Sequence, residues 1–405
     1  MRFFPWTVAF RRSTQACEGR RFPVEKRILL TSHFEMDSTS TLPTLGSERV
    51  SGTPSSTASA LKPKSAEQTL ARRPHAAATA SAKEIMLRLS DPVAKELVDV
   101  ELRLQQELQS PHPDLVPVLQ HGTQLGGKRL RPALLLLTGS AVGSLNNEHV
   151  ILGTVVEMVH TATLIHDDVL DQAATRRHVA TVNARWNEHT SILVGDYLFA
   201  QSFRLAATLS STEACQMVGE AARLVCEGEL RQVLSRDVLS ISEQNYYAMI
   251  RGKTAELCRV SCELGAIFSQ GTQAIVDAMG RYGDSLGIAF QIADDYLDLW
   301  GDDGTVGKTL GTDIGQGKMT LPLIRLRETV SEAEWKRVTE ILTGPVPERL
   351  EKIRPFLEQS DARSYTRSVA ETFKRRAVRA LDCIPDSEAK SSLSELASFS
   401  VARRF

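Results

Sequence analysis

The 405-residue sequence lacks several features that would indicate particular classes of protein. Lys and Arg total 48 against 49 Asp and Glu, so no excess of positive charge points to a nucleic-acid partner. No uninterrupted run of about eighteen apolar residues occurs, which argues against a spanning helix and predicts no stable membrane anchor. The six cysteines are scattered and lack the paired spacing of a zinc site. We therefore expect a cytoplasmic protein with reduced thiols.

Residues 1–83 differ in composition from the rest of the chain. The part that follows Met36 is rich in Ser, Thr, Ala and Pro and has few side chains that could form a core, so we expect residues 1–83 to be a disordered N-terminal extension. Residues 1–35 are Arg-rich but lack the apolar segment and cleavage site of a secretory signal. An organellar transit peptide and a true start at Met36 account for them equally well.

Apolar residues recur at helical spacing from residue 84 onward. One face of a helix over residues 94–109 would carry Leu97, Val100, Leu104 and Leu108. Similar runs follow at residues 133–144, 150–170, 192–209, 213–235, 243–268, 273–301 and 318–329. Strand-like alternation is scarce. The pattern predicts one all-α domain over residues 84–405, a bundle of about ten or more helices.

Two aspartate motifs of the form DDxxD stand out, DDVLD at 167–171 and DDYLD at 294–298. On a helix, the first and last aspartates of each motif lie side by side on one face. Apolar residues flank both motifs, so we expect the two faces to meet across a cavity. Carboxylate oxygens suit Mg²⁺, which is commonly shared with substrate phosphates. The motifs therefore predict a magnesium and diphosphate site, with a solvated acidic face as the alternative.

Two basic clusters accompany the aspartates. Arg176 and Arg177 follow the first motif, and a guanidinium can bind phosphate oxygens in a bidentate manner. The segment GGKRLRP at 126–132 opens a helix, whose free N–H groups favour an anion. Its cations are Lys128, Arg129 and Arg131. They predict a second phosphate site, with an exposed basic loop as the alternative.

Six segments occur in a characteristic order: GGKRLRP, DDVLD followed by ATRR, GDYLFAQ, GKTAEL, FQIADDYLD and GKMTLPLI. In this order they resemble the trans-isoprenyl diphosphate synthases, the polyprenyl synthetase family, over residues 84–405. The resemblance implies the isoprenoid synthase fold, a single large helical bundle around a central cavity. It also implies a homodimer that uses three Mg²⁺ ions to condense an allylic diphosphate, such as farnesyl diphosphate, with successive molecules of isopentenyl diphosphate.

The resemblance assigns roles to individual residues. The metal ligands would be Asp167, Asp171, Asp294 and, through water, Asp298, with Asp168 assisting nearby. Isopentenyl diphosphate would bind to Lys128, Arg131, His160 and Arg177. The allylic diphosphate would contact Arg176, Lys253 and Lys308. The catalytic residues that line the path of the cationic intermediate would be Lys253, Thr254 and Gln291. Without these neighbours, His160 would be interpreted as a core histidine.

Product length would depend on the residues that lie one turn before Asp167, which are Ala162 and Thr163. The resemblance implies that bulky aromatic residues at these positions are typical of farnesyl- or geranylgeranyl-producing members of the family, whereas small residues leave a tunnel open. The next candidate floor of the tunnel is Phe199 or Phe203. The sequence therefore predicts a long product of about C30–C45 for a quinone side chain, because the tunnel limits what it can hold. A geranylgeranyl diphosphate synthase is the alternative.

Two other classes of protein share these features. A class I terpene cyclase also uses a DDxxD motif, but the segment GGKRLRP would have no role in it. A non-catalytic partner subunit of the same fold would generally lose one aspartate motif, and both motifs are intact here. Because a fold alone does not establish a function, the intact pair of motifs is what favours an enzyme.

Overall fold

The computed structural model describes residues 82–124, 127–301 and 310–402, and most of these residues are helical. The helices, numbered here in chain order, are α1 (Ala82–Leu89), α2 (Ala94–Glu107), α3 (Val116–Gln124), α4 (Leu130–Val142), α5 (Asn147–Leu170), α6 (Val182–Arg185), α7 (Glu188–Ala206), α8 (Thr212–Leu234), α9 (Glu243–Ile250), α10 (Glu256–Phe268), α11 (Gln273–Trp300), α12 (Thr312–Gly315), α13 (Leu321–Thr329), α14 (Glu332–Leu342), α15 (Val346–Gln359), α16 (Ala362–Ala380) and α17 (Glu388–Ala402). The prediction of an all-α fold is confirmed.

The extension expected over residues 1–83 lies outside the described residues except for its last two. None of the described helices combines the length and the apolar composition that a membrane span requires.

Side-chain caps define where several long helices begin. The Asn146 side chain accepts hydrogen bonds from the N–H groups of Glu148 and His149 at the start of α5. Asn187 caps α7 and Ser211 caps α8 in the same way. These oxygens satisfy N–H groups that have no partner within the helix, which fixes the first turn of each helix.

Buried apolar side chains form two clusters. The large core involves α1 to α8, α10, α17 and the first half of α11, while the small core joins the second half of α11 to α9 and α12 to α16. Within the large core, the predicted stripe of α2 is confirmed, since Val100, Leu104 and Leu108 are each 1% exposed. α11 runs through both cores. Its second half, which carries the DDYLD motif, packs along the small core.

A two-stranded ribbon directly follows α5 and was not predicted. Its strands, Thr175–Arg176 and Val179–Ala180, pair in antiparallel register across Arg177 and His178. Both turn residues have positive φ, 52° and 65°, as a tight two-residue hairpin turn requires. The hairpin was not predictable from these residues, because this turn normally uses Asn and Gly. The ribbon holds both arginines of the ATRR segment in one place.

The run of residues 243–268 was predicted as one continuous helix, which is wrong at its centre. A π-helical segment, Arg251–Ala255, separates α9 from α10 and contains the GKTA residues. Gly228 of α8 crosses here so closely that a Cβ atom on it would lie 2.5 Å from the backbone nitrogen of Lys253. π-Helical turns inside helices often occur at functional sites. This one directs Lys253 and Thr254 away from the ordinary helical path.

Candidate active site

The first aspartate motif lies at the end of α5, and each of its carboxylates faces a cation. Lys253 Nζ lies 3.9 Å from Asp167 Oδ2. Arg176 Nη2 lies 2.8 Å from Oδ1 of Asp168, which is almost fully buried. Asp171 ends the helix, and its Oδ1 accepts a hydrogen bond of 3.0 Å from Arg236 Nη2. The three negative charges of the motif are therefore balanced by side chains from three other segments.

The electrostatics around the first aspartate motif favour an additional cation. Burial raises the pKa of Asp167. The positive charge of Lys253 opposes that shift, whereas the like charge of Asp171 raises the pKa further. Burial lowers the pKa of Lys253, but the negative charges of Asp167 and Glu229 outweigh this effect, so that the lysine pKa is raised. Glu229 Oε1 lies 2.5 Å from Lys253 Nζ and adds another carboxylate. This set of crowded oxygen donors fits a hard divalent ion such as Mg²⁺.

No three His, Cys, Asp or Glu side chains among the described residues converge on one metal position. Mg²⁺ is usually bound by one or two carboxylates and completes its shell with water and substrate phosphates. A site of this kind needs only pairs of carboxylates, such as Asp167 with Asp171, around a diphosphate. The donor set therefore fits a metal that is shared with substrate.

In the second aspartate motif, on α11, Asp295 is held by neutral side chains. The buried Asp295 accepts hydrogen bonds from the Tyr246 hydroxyl at 2.6 Å and from Gln291 Nε2 at 2.8 Å. The Thr254 hydroxyl donates to Gln291 Oε1 at 2.8 Å, so the chain of bonds reaches the π-helical segment. Burial and the nearby Asp313 raise the pKa of Asp295 to about 8.

Asp298 binds backbone N–H groups. Its Oδ1 and Oδ2 each accept a backbone N–H, from Thr312 and Asp313 respectively, at 3.1 Å. The carboxylate therefore caps α12, the next described helix after α11. Asp294, which directly precedes Asp295, is half-buried.

A cavity of about 80 Å³ lies beside the second motif. Lys253, which faces Asp167, lines it together with Gln291 and Asp295. Asp313 and Lys318 line its other side, and Lys318 Nζ lies 3.5 Å from Asp313 Oδ1. The structure thus places Asp295 of the second motif at a cavity that Lys253 links to the first motif, together with a second lysine, Lys318.

The predicted isopentenyl diphosphate residues also come together. The guanidinium of Arg177 lies against Gly127, where a Cβ atom would be only 2.4 Å from Arg177 Nη1. Burial, and then the positive charges of Arg131 and Arg177, lower the pKa of His160 well below its ordinary value. Lys128 Nζ lies 5.8 Å from the centre of the Phe399 ring. A neutral imidazole and three cations therefore share one region.

Arg129 does not join these cations, although the sequence grouped it with them. Its guanidinium pairs with Glu157 at 2.7 Å and with Glu101 at 2.9 Å, and Glu157 is only 1% exposed. Arg129 also has a positive φ of 51° directly before α4. The residue therefore fixes the backbone of the basic loop. Arg131 Nε, by contrast, is buried and has no acceptor among the described residues.

The residues that were expected to set product length lie below the first motif. Ala162 is fully buried in the large core. The hydroxyl of the half-buried Thr163 donates to the His160 carbonyl oxygen at 2.7 Å. Phe199 of α7 packs against His166, with 5.9 Å between ring centres. Lys308 lies outside the described residues.

Five residues of the site were not identified from the sequence: Glu229, Arg236, Tyr246, Asp313 and Lys318. Lys318 belongs to the segment GKMTLPLI, so its position in a family motif could have indicated it. The others are single polar residues on helices or loops, and nothing in the sequence distinguishes them from surface residues.

Comparison with known proteins identifies the class of this site. A family model described as polyprenyl synthetase matches residues 112–359. An octaprenyl diphosphate synthase of Haemophilus influenzae is 33% identical over 319 residues, which cover 78% of this chain and 96% of that protein. The crystal structure of a decaprenyl diphosphate synthase from Rhodobacter capsulatus is 37% identical with a TM-score of 0.74, and it covers 78% of this chain and 99% of that one.

A polyprenyl synthase structure from Caulobacter crescentus, complexed with calcium and isoprenyl diphosphate, is 33% identical with a TM-score of 0.73 and covers 81% of this chain and 99% of that chain. The fold and site therefore define an isoprenoid synthase, as the motif order predicted. The chain belongs to the polyprenyl synthetase family. It is a prenyltransferase of the class that elongates trans-isoprenoid chains.

Proposed function

We propose that this protein is a Mg²⁺-dependent trans-polyprenyl diphosphate synthase that makes a long product, about C30–C45, for a quinone side chain. The observation that carries the proposal is that Lys253 faces Asp167 of the first aspartate motif and lines the same cavity as Asp295 of the second motif. The relatives described as octaprenyl and decaprenyl diphosphate synthases support a long product. Geranylgeranyl diphosphate synthesis is the second candidate, because a similar site serves any chain length.

Each diphosphate has its own set of cations. Lys128, Arg131 and Arg177, with the neutral His160, would hold isopentenyl diphosphate, since charge-assisted hydrogen bonds to phosphate are strong. Arg176 and Lys253, together with Lys308, would bind the allylic diphosphate. When bound between Asp167, Asp171 and Asp294, Mg²⁺ ions, three by the family resemblance, supply charge neutralisation to the leaving diphosphate. The two sites keep the two substrates in separate, fixed orientations.

The remaining residues protect the carbocation that forms when the allylic C–O bond breaks. Thr254 and Gln291 are bonded to each other at 2.8 Å, so their oxygens are held in fixed positions beside the cavity. Fixed dipoles stabilise developing charge better than mobile water does. Lys253 remains charged because Asp167 and Glu229 stabilise it, which lets it retain the diphosphate. The described residues near the cavity offer no better final base than the diphosphate itself.

Exposed apolar residues on α7 and α8 favour a homodimer. Leu193 is 66% exposed and Leu234 is 78% exposed, while Ile192 and Leu230 also face outward. Large apolar side chains in this number commonly mark an interface. Light scattering should give twice the chain mass for the purified protein, and Leu193→Asp should shift it toward the monomer. A monomeric unaltered protein would contradict the homodimer.

The central experiment uses purified protein, Mg²⁺, farnesyl diphosphate and labelled isopentenyl diphosphate, with products resolved by chain length. A discrete product of about six or more isoprene units is expected, because Ala162 and Thr163 are small. A product of four units would keep the reaction class and favour the geranylgeranyl alternative. A hydrocarbon product would indicate a cyclase, and the absence of turnover would favour a non-catalytic subunit.

The tunnel argument has a separate test at Ala162. Ala162→Phe should shorten the product, because the larger side chain would block the path below Asp167. Ala162 is fully buried, so overpacking could destabilise the fold. Ala162→Val and the half-buried Thr163→Phe therefore accompany it as variants that disturb the core less. Product length that stays the same in all three folded variants would refute the tunnel.

A further inference from the structure

Arg236 stands at the edge of the candidate active site without a role in the chemistry described so far. It directly follows the last turn of α8, and the next residue, Asp237, binds the carbonyl oxygen of Gly317 through its backbone N–H at 2.9 Å. Gly317 has a φ of 69°, and a Cβ on it would come within 2.3 Å of Asp237 Oδ1. The segment that carries Arg236 is therefore locked against the loop that carries Lys318.

The guanidinium of Arg236 is only partly satisfied. Nη2 donates to Asp171 Oδ1 at 3.0 Å. Nε is shielded from solvent and has no hydrogen-bond acceptor among the described residues. A buried N–H donor without an acceptor is unfavourable, and native proteins rarely retain one without a reason. A ligand oxygen that enters from the site would satisfy it.

The Arg236–Asp171 pair also differs from its neighbour in how readily it can open. The Arg176–Asp168 pair is inaccessible because Asp168 is only 1% exposed. In the Arg236–Asp171 pair the side chains are 31% and 28% exposed, so solvent and ions reach both. Exposed pairs of this kind are weak and can exchange partners.

The same carboxylate oxygen has two possible partners. Asp171 Oδ1 cannot bind the guanidinium and a divalent ion at full strength together, because both need its lone pairs. Mg²⁺ requires near-ideal octahedral oxygen ligands, so it would displace the guanidinium when it takes this oxygen. The released guanidinium would then lie beside a metal-bound diphosphate, whose oxygens match its planar donors.

We propose that Arg236 is an additional substrate-binding residue that competes with the divalent metal for Asp171 and, once displaced, binds the allylic diphosphate. The proposal rests on the proposed function, since it needs a diphosphate at the first aspartate motif. Arg236 would weaken the binding of the metal alone and strengthen the binding of the metal together with diphosphate. The two ligands would therefore reinforce each other at this residue.

The test is titration calorimetry on the full chain with two probes, Mg²⁺ alone and inorganic diphosphate at saturating Mg²⁺. In Arg236→Gln, Mg²⁺ alone should bind about threefold more tightly, the size of a lost exposed pair. Diphosphate should bind about tenfold more weakly, the size of a lost charge-assisted hydrogen bond. Arg231→Gln is the matched control, because Arg231 lies in the last turn of α8, just before Arg236, and pairs with the exposed Glu227. It should match the unaltered protein in both titrations.

Opposite signs for the two probes in Arg236→Gln support the proposal. If Mg²⁺ alone binds more weakly in this variant, Arg236 merely orients Asp171 and the competition is refuted. If Arg236→Gln binds both probes as the control does, the pair is only a surface ion pair and the inference fails while the proposed function stands. If the unaltered protein does not bind diphosphate with Mg²⁺, both the inference and the proposed function fail.

Discussion

The two aspartate motifs have nearly the same sequence, DDVLD and DDYLD, yet their carboxylates have different partners. In the first motif, Asp167, Asp168 and Asp171 each face a lysine or an arginine. In the second motif, Asp295 is bonded to a phenol and an amide, and Asp298 to two backbone N–H groups. The first motif is thus paired with cations, whereas Asp295 and Asp298 of the second motif accept hydrogen bonds from neutral donors.

This difference indicates separate tasks for the two motifs. Ion pairs that are partly exposed can exchange one cation for another, so the first motif is suited to accept metal and diphosphate. Neutral hydrogen bonds to the backbone have fixed geometry and define where α12 begins. The second motif is therefore suited to keep the far wall of the cavity in place. Four predictions test this comparison.

The largest expected effect is on catalysis at the first motif. Asp167→Asn should lower the rate of condensation about a thousandfold, because electrostatic stabilisation of the leaving group is lost. Stability should be unchanged or slightly higher, since burial disfavours the charged form of Asp167. Initial rates at saturating Mg²⁺ and thermal unfolding measure the two quantities. A variant that unfolds much earlier than the unaltered protein would mean that Asp167 is structural.

The second prediction concerns the pH dependence of stability. Folding raises the pKa of Asp295 from its ordinary value of 3.8 to about 8, so the folded state binds the proton more tightly than the unfolded chain. The contribution of this group is fully present below about pH 4 and is lost as the pH rises through about 8. Asp295→Asn imitates the neutral acid, so the free energy of unfolding of this variant should fall less steeply with rising pH. Denaturant titrations at several pH values between these limits measure it, and parallel curves would show that Asp295 is ionised throughout.

The third prediction removes the amide that links Thr254 to Asp295. Gln291→Leu should reduce the free energy of unfolding by about 1–3 kcal/mol, because two buried polar partners lose their bonds. Gln273→Leu is the matched control on the same helix, since Gln273 is exposed and bonds only to the side chain of Asp277. Urea denaturation compares the two variants. Equal losses would mean that the neutral network adds no stability.

The sequence predicted the helices better than the contacts between them. Apolar spacing alone located α5, α8 and α11, because a long amphipathic run has one dominant period. The π-helical segment was missed because its cause is the close crossing of Gly228 in another helix. The hairpin after α5 was missed because Arg177 and His178 are unusual residues for positive φ.

The site was predictable to the extent that its residues belong to motifs. Asp167, Arg177 and Lys253 occur in recognisable segments, and the structure brings them into the expected neighbourhoods. Glu229 and Arg236 do not occur in such segments. Arg236 pairs with Asp171, which lies 65 residues earlier in the sequence. A pairing over that distance depends on how α8 packs in the bundle, and spacing carries no information on it.

The smallest expected effect compares the last aspartates of the two motifs. Asp298→Asn should lower the free energy of unfolding by about 1 kcal/mol, because an amide can accept only one of the two N–H bonds that cap α12. Asp171→Asn should lower it by no more than about 0.5 kcal/mol, because it loses only an exposed ion pair. Urea denaturation at low and high salt separates the two cases, since only the ion pair is screened. A larger, salt-sensitive loss for Asp171→Asn would mean that the cation pairs of the first motif hold the fold, and the division of tasks between the motifs would be reversed.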